Sequence, residues 1–187
     1  MRVIAGDAKG RTLIAPRGGA TRAATDRIRE TLFAILEPRL GDARVLDLFA
    51  GAGTLGIEAL SRGASSAIFV ERDTEALRAL RQNIGAAGVA ERARVVAQNV
   101  IGFLDARPGG PFDIVFCDPP FADVGAAEAT LGHPTLRASL ASDGIVVMRA
   151  HRKHLPALPA AAEVARVKDV GEETLLFVRY SQAAAGG

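Results

Sequence analysis

The sequence is short of the residues that staple or metallate small domains. One cysteine, Cys117, stands among its 187 residues, so neither an intramolecular disulfide framework nor a zinc knuckle can be built from it. His151 and His154 are three apart with no third ligand in view, and no metal is expected. Tryptophan is absent and aromatic residues make up 5%. No run of about 18 apolar residues occurs, which excludes a transmembrane helix. Arg2, Asp7, Lys9 and Arg11 interrupt the N-terminal stretch before a signal-peptide core could form, and a cytoplasmic protein is expected.

What is present is a chain 49% hydrophobic, much of it alanine, with Val, Leu, Ile and Phe spread along its length. That is enough for one ordinary core with a small appendage. The net charge of +2 hides an asymmetry. Residues 1–40 hold Arg2, Lys9, Arg11, Arg17, Arg22, Arg27, Arg29 and Arg39 against four acidic residues, ahead of a slightly acidic body. Such an arm suits either a solvated face or an anionic partner. Its one aromatic, Phe33, offers no base-stacking platform, so RNA bound there would be held through phosphates by Arg22, Arg27 and Arg29. Three parts are expected: an arm over 1–40, a body over 41–182, and a disordered tail over 183–187.

Within the arm, Arg2–Ala5 and Arg11–Ala15 read as a small hairpin. A helix starts at Thr25 or Asp26, carries Ile28, Leu32, Ile35 and Leu36 on one face, and stops at Pro38. After Gly41, short apolar strands alternate with helices. Strands are expected at Val45–Phe49, Ala67–Glu71, Arg94–Ala97, Asp113–Cys117, Gly144–Met148, Glu163–Val167 and Thr174–Tyr180. Helices are expected near Thr54–Arg62, Thr74–Ala87, Val100–Ala106 and Ala126–Leu140, the last broken at His133-Pro134. Five β/α repeats closed by a hairpin describe an α/β, Rossmann-like, mainly parallel seven-stranded sheet with an antiparallel C-terminal strand. That is the layout of the class I S-adenosylmethionine-dependent methyltransferase fold.

The first strand runs through Asp47 and Phe49 into the turn Gly51-Ala52-Gly53-Thr54-Leu55-Gly56. Glycines there let a ligand approach the N-terminus of the next helix. Gly51, Gly53 and Gly56 also satisfy the dinucleotide fingerprint, with Glu71 at the spacing of a ribose-binding acid, so the turn alone does not separate NAD from S-adenosylmethionine. Asp47 favours the latter, because a carboxylate would repel a pyrophosphate but accept from the ammonium of a methionine moiety. It could instead hold loop amides. Glu71 would bond ribose hydroxyls, with Asp73 available to cap the next helix. Asn99 could bond the adenine edge or cap the helix that follows it.

Asp118-Pro119-Pro120-Phe121 falls at the end of the fourth strand, where ligands of open α/β sheets bind. The prolines restrict the loop and remove N–H donors, leaving carbonyls to face the site. An exocyclic amine on a planar base is a poor nucleophile because its lone pair is delocalised into the ring. The Asp118 carboxylate and the Pro119 carbonyl together can hydrogen-bond both amine protons and favour a pyramidal nitrogen, freeing that lone pair, while Phe121 stacks on the base. Cys117, beside them on a buried strand, reads as a small core residue.

On these residues the sequence resembles the RsmD-type 16S ribosomal RNA guanine-N2 methyltransferases. The resemblance runs from Arg2-Val3-Ile4-Ala5-Gly6 through Thr25-Asp26-Arg27-Ile28-Arg29-Glu30-Thr31-Leu32-Phe33, the glycine turn and the Asp118–Phe121 loop to Gly171-Glu172-Glu173-Thr174-Leu175-Leu176. It implies a bacterial, monomeric enzyme that moves methyl from S-adenosylmethionine to N2 of one guanine in 16S rRNA, within a small-subunit particle, as part of ribosome biogenesis. It makes Asp118, Pro119, Pro120 and Phe121 the catalytic loop, and the turn with Glu71 and Asn99 the cofactor site. The chain departs from the family at Arg22-Ala23-Ala24-Thr25, where Arg-Pro-Thr-Thr is usual. It also departs at Arg149, Arg152 and Lys153, where relatives often carry a glutamate. These three are expected away from the catalytic loop, and they are the next place for RNA to dock should the arm not hold it. Other readings are methylation of DNA adenine N6 or of a protein glutamine, an NAD(P)-dependent oxidoreductase, and a non-catalytic RNA-binding module.

Overall fold

The structure, a computed structural model, describes residues 1–16 and 24–181. Thirteen elements are used below. In chain order they are α1 (Asp26–Leu36), β1 (Arg44–Leu48), α2 (Thr54–Ser61), β2 (Ser66–Glu71), α3 (Thr74–Ala87), β3 (Ala93–Ala97), α4 (Val100–Asp105), β4 (Phe112–Cys117), α5 (Val124–Leu131), α6 (Pro134–Ala138), β5 (Leu140–His151), β6 (Ala162–Val170) and β7 (Glu173–Tyr180). The strands form one sheet in the order β3-β2-β1-β4-β5-β7-β6. The first five run parallel, and β7 lies antiparallel between β5 and β6. Strand order reverses between β1 and β4, and the crevice outside the carboxyl ends of these two strands is where such sheets take ligands.

The central strands read as continuous apolar runs because both of their faces are covered. Along β4, Ile114 and Phe116 face a core shared with α1, α2 and α3, whereas Val115 and Cys117 face a second core under α4, α5 and α6. The same alternation holds in β5, with Ile145 and Val147 on the first side and Val146 and Met148 on the second. Cys117 is wholly buried, as a core residue should be.

The helix expected after Thr25 forms, capped by the Thr25 hydroxyl, which accepts from Ile28 N. Its apolar face does not project from the body. Ile28, Leu32, Phe33 and Leu36 lie in the first core, with the Phe33 and Phe116 ring centroids 5.9 Å apart. The hairpin expected before it is short: a bridge joins Arg2 and Thr12, with Val3 N donating to Arg11 O at 3.0 Å and Leu13 N to Met1 O at 2.8 Å. It extends no further because the next donors turn elsewhere: Ile4 N and Ala5 N donate to the Glu58 carboxylate at 2.8 and 3.0 Å. Ala8 N donates to Ser61 Oγ and Asp7 N to Ser61 O. The first residues are strapped to α2 as well as to each other, and Gly6 passes so close that a Cβ there would sit 1.7 Å from Ser61 O.

Candidate active site

The site is assembled at the carboxyl ends of β1, β2 and β4. After β1 the backbone turns sharply through Phe49, at φ 61°, and Gly51, at φ 54°. A side chain as large as Phe rarely adopts the left-handed region, and such strain persists only where surrounding structure enforces it. Gly53, at φ 79°, opens α2, and a Cβ on it would lie 2.3 Å from Leu80 Cδ1 of α3. A Cβ on Gly56 would lie 2.3 Å from the Phe69 ring. These two glycines let α2 and α3 close against the sheet. By contrast, a Cβ on Gly51 would meet nothing within 4 Å, so that side of the turn is open.

Asp47 is 1% exposed, and its Oδ2 accepts from Gly56 N at 2.9 Å, tying the strand to the first turn of α2. Burial pushes its carboxyl well above the ordinary value of 3.8, the Gly56 bond pulls it back, and the Asp118 and Glu71 carboxylates push it up again. Glu71 accepts from Gly51 N at 2.8 Å, and from Arg72 N and Asp73 N at 2.7 and 2.8 Å. Asp73 takes the capping role on α3 through Ala76 N, which leaves Glu71 facing the glycine turn. Asn99 is exposed and caps α4, its Oδ1 accepting from Gly102 N at 2.8 Å. Of its two expected roles, the capping one is what the geometry places here.

The Asp118–Phe121 loop leaves β4 beside this turn, with Asp118 N directed at Leu48 O of β1. Pro119 is buried and Pro120 exposed, and Pro120 O accepts from Asp123 N at 2.8 Å as the loop enters α5. Asp118 is not a lone acceptor. Arg149 Nε donates to Oδ1 at 2.7 Å and Nη2 to Oδ2 at 2.9 Å, while Nη1 donates to Glu173 Oε2 at 3.1 Å. The Arg149 guanidinium carbon also stands 4.9 Å from the centre of the Phe121 ring, whose other ring neighbour is His151 at 6.4 Å. Burial raises the Asp118 carboxyl, and Arg149 opposes that rise by charge and by hydrogen bonding. Burial likewise works against the charged guanidinium, but Asp118 and Glu173 outweigh it and hold Arg149 protonated.

Two expectations about basic residues are corrected. Arg29 is 0% exposed, donating to Arg2 O at 2.8 Å and to Asp26 Oδ1 at 2.6 Å, with Glu58 Oε2 3.6 Å away. A guanidinium sealed in that way is a strut between α1, the N-terminal segment and α2, not a phosphate contact. Arg149, expected as surface charge away from the catalytic loop, is 5% exposed and grips that loop. Its strand position was the overlooked signal: a charge inside the buried run Val146–Ala150 has to be paired. Arg27, Arg152 and Lys153 are exposed. Arg22 and the tail over 183–187 lie outside the described residues.

A larger cavity, about 620 Å³, opens at the opposite end of β5, between α6 and the end of β7. It contains none of these residues, and chemistry is argued from the strand ends instead. Among the described residues no cluster of metal-binding side chains occurs, and no helix is long and apolar enough to cross a membrane.

Comparison with known proteins bears on this geometry. The family model described as conserved hypothetical protein 95 matches residues 1–179. The ribosomal RNA small subunit methyltransferase D of Escherichia coli K12 is 39% identical over 187 residues, covering 100% of this chain and 92% of that protein. The protein of the same name from Haemophilus influenzae is 41% identical over 123 residues, 65% of this chain and 64% of its own. Among solved structures, the one described as "Putative methyltransferase yhhF from Escherichia coli" superposes with a TM-score of 0.83 at 38% identity, covering 97% of this chain and 99% of that one. The class I methyltransferase fold expected from the β/α pattern is the fold the chain has.

Proposed function

The chain belongs to the conserved hypothetical protein 95 family, and from that premise we propose that it is an S-adenosylmethionine-dependent rRNA methyltransferase. Its proposed target is the exocyclic N2 amine of a guanine in 16S rRNA of the small ribosomal subunit. The coarser part, methylation of rRNA, is what its full-length relative is named for. The finer part rests on one observation: a carboxylate–proline loop at the end of β4 stands next to an open glycine turn at the end of β1.

The residues at the turn fit the cofactor. Gly51 presents an open backbone face, Asp47 puts a buried carboxylate against the first turn of α2, and Glu71 lies beside Gly51 with ribose-bonding chemistry. These residues, with Phe49, Gly53, Gly56 and Asn99 shaping the walls, would hold S-adenosylmethionine, which supplies an electrophilic methyl group. Asp118 and the Pro119 carbonyl would accept hydrogen bonds from the two N–H groups of the guanine amine and favour a pyramidal nitrogen, and the one proton released on methylation would leave through the Asp118 carboxylate or to solvent. Phe121 stacks on the ring and fixes the line of attack. The prolines hold this arrangement before substrate arrives, so little reorganisation is needed at the moment of reaction.

Exposed Arg27 on α1, Arg22 ahead of it, and Arg152 and Lys153 beyond β5 are the proposed phosphate contacts, on a small-subunit particle met by one copy of the chain in the cytoplasm. The test is tritiated methyl transfer to small subunits from cells lacking the modification, followed by nucleoside mapping. N2-methylguanosine in 16S rRNA is the expected product. Label in DNA adenine or in a protein glutamine, with none in rRNA, would overturn the acceptor assignment. Binding of NADH and not of S-adenosylhomocysteine would overturn the cofactor.

A further inference from the structure

We propose that Arg149 is a positioning residue for methyl transfer: it holds the Asp118 carboxylate and the Phe121 ring in the arrangement that receives the target amine, and Glu173 holds Arg149 in turn. The proposal rests on the amino-methyltransferase reading for its activity assay, and its geometry stands apart from the identity of the acceptor.

Contacts from the catalytic loop converge on one side chain. Two parallel hydrogen bonds to Asp118, at 2.7 and 2.9 Å, set the plane of the carboxylate as well as its position. A single bond would leave it free to swing. A bidentate pair engages one lone pair on each oxygen and leaves the others for a further donor, so the clamp is compatible with Asp118 accepting from an amine. The third contact is the cation–π approach to Phe121 at 4.9 Å. The acceptor and the stacking ring, three residues apart on a loop, are therefore indexed to the same guanidinium. Arg149 sits on a neighbouring strand, buried between Met148 and Ala150, and its remaining fork is fixed by Glu173 at 3.1 Å.

Charge gives the clamp a second consequence. Asp118 is faced by the Asp47 carboxylate from β1, lies beside Cys117 on β4, and has Glu173 of β7 beyond Arg149, with His151 reached only through the Phe121 ring. Arg149 is the cation in that set. Without it, burial would favour the protonated acid, and a protonated oxygen donates where an acceptor is required. A phosphate-binding role does not suit this residue, because it is 5% exposed and its Nε, Nη1 and Nη2 are all engaged within the protein.

The test compares the wild type with Arg149→Lys, Arg149→Gln, Asp118→Asn and the double variant Asp118→Asn with Arg149→Gln, assayed by methyl transfer to unmodified small subunits. Affinity for S-adenosylhomocysteine and thermal melting accompany each variant. Arg149→Gln should lower kcat by about 10- to 100-fold while KM and cofactor affinity stay within about threefold. Arg149→Lys, which keeps the charge and is the fallback should the glutamine variant not fold, should recover only part of this because an ammonium cannot form the planar fork. In the Asp118→Asn background, removing Arg149 should cost less than about threefold more, since a residue acting through Asp118 has little left to act on.

A kcat within about twofold of wild type in both single Arg149 variants, or an equal loss in the two backgrounds, would overturn the proposal. If the wild type proves inactive on small subunits, the acceptor reading fails, and the clamp is then judged by carboxyl carbon-13 titration of Asp118 in the S-adenosylhomocysteine complex. Arg149→Gln must raise its midpoint by at least about one pH unit, and an unchanged midpoint overturns the clamp.

Discussion

Asn83 joins the N-terminal segment to the turn that follows β1: its side-chain amide donates to Ile14 O at 3.0 Å and to Ala52 O at 2.9 Å, while its Oδ1 accepts from Ile14 N at 2.8 Å. The residue is 1% exposed on the inner face of α3. The N-terminal segment is thus bonded to the same side chain as the proposed cofactor turn.

Replacing Asn83 by Ala strips three backbone groups of their partner; Ala52 O is buried and costs about 1–3 kcal/mol when left unsatisfied, while the part-buried Ile14 N and O can turn to water at a smaller cost. The variant should lose about 2–4 kcal/mol of stability after local relaxation and bind S-adenosylhomocysteine more weakly. Urea unfolding and calorimetry check the two effects, and unchanged cofactor affinity would show that the turn holds its shape without this bond.

Asp47→Asn should separate stability from binding. The folded-state pKa of Asp47 is raised, so the folded chain holds this proton more tightly than the unfolded chain does. Stability therefore falls as pH rises from the ordinary 3.8 towards the raised value, and the loss is complete above it. The asparagine variant has no proton to lose, so at pH 7 it should be at least as stable as wild type, with the advantage gone near about pH 4. Its affinity for S-adenosylmethionine should drop. Urea titrations at the two pH values, with calorimetry, test both parts.

Asp118→Ala removes the acceptor but leaves the glycine turn intact. Turnover should fall by about 10²-fold or more, equivalent to roughly 2.7 kcal/mol in the transition state, with little change in cofactor affinity. Near-wild-type turnover would show that this loop does not carry the chemistry.

The two arginines on α1 should behave oppositely. Arg29→Ala leaves the buried Glu58 with Arg62 as its remaining close cation, Nε to Oε1 at 2.8 Å. Breaking a buried ionic cluster in this way costs about 3–5 kcal/mol, and denaturation should show it. Arg27→Ala should leave stability within about 0.5 kcal/mol. It should instead weaken RNA binding and lower its salt dependence by up to about one counterion. An unchanged salt slope would move the docking surface to Arg152 and Lys153.

Much of the architecture was legible because it is local. The helix at Thr74–Ala87 coincides with α3, since Asp73 caps it and a 3.6-residue apolar stripe runs through it. Strands β1 to β4 differ from expectation by at most one residue at each end. β5 is far longer than the apolar run Gly144–Met148, because pairing with Phe112 at one end and Glu173 at the other extends it beyond its hydrophobic residues. The N-terminal hairpin forms but stays short, because Ile4 N and Ala5 N turn to the Glu58 carboxylate, a partner more than fifty residues away that no local pattern announces.

What the sequence by itself determined is the alternation of strand and helix, the glycine turn after β1 and the carboxylate–proline loop after β4, since short-range backbone preferences and apolar periodicity set these. The tertiary structure alone decided the state of the charges. Arg27 and Arg29 are two residues apart on one helix, yet one is solvated and the other sealed. Arg149, Arg152 and Lys153 form one basic cluster in sequence, yet only the first reaches Asp118. A guanidinium's burial and partner depend on which strands the fold sets side by side, and the sheet order sets β5 between β4 and β7.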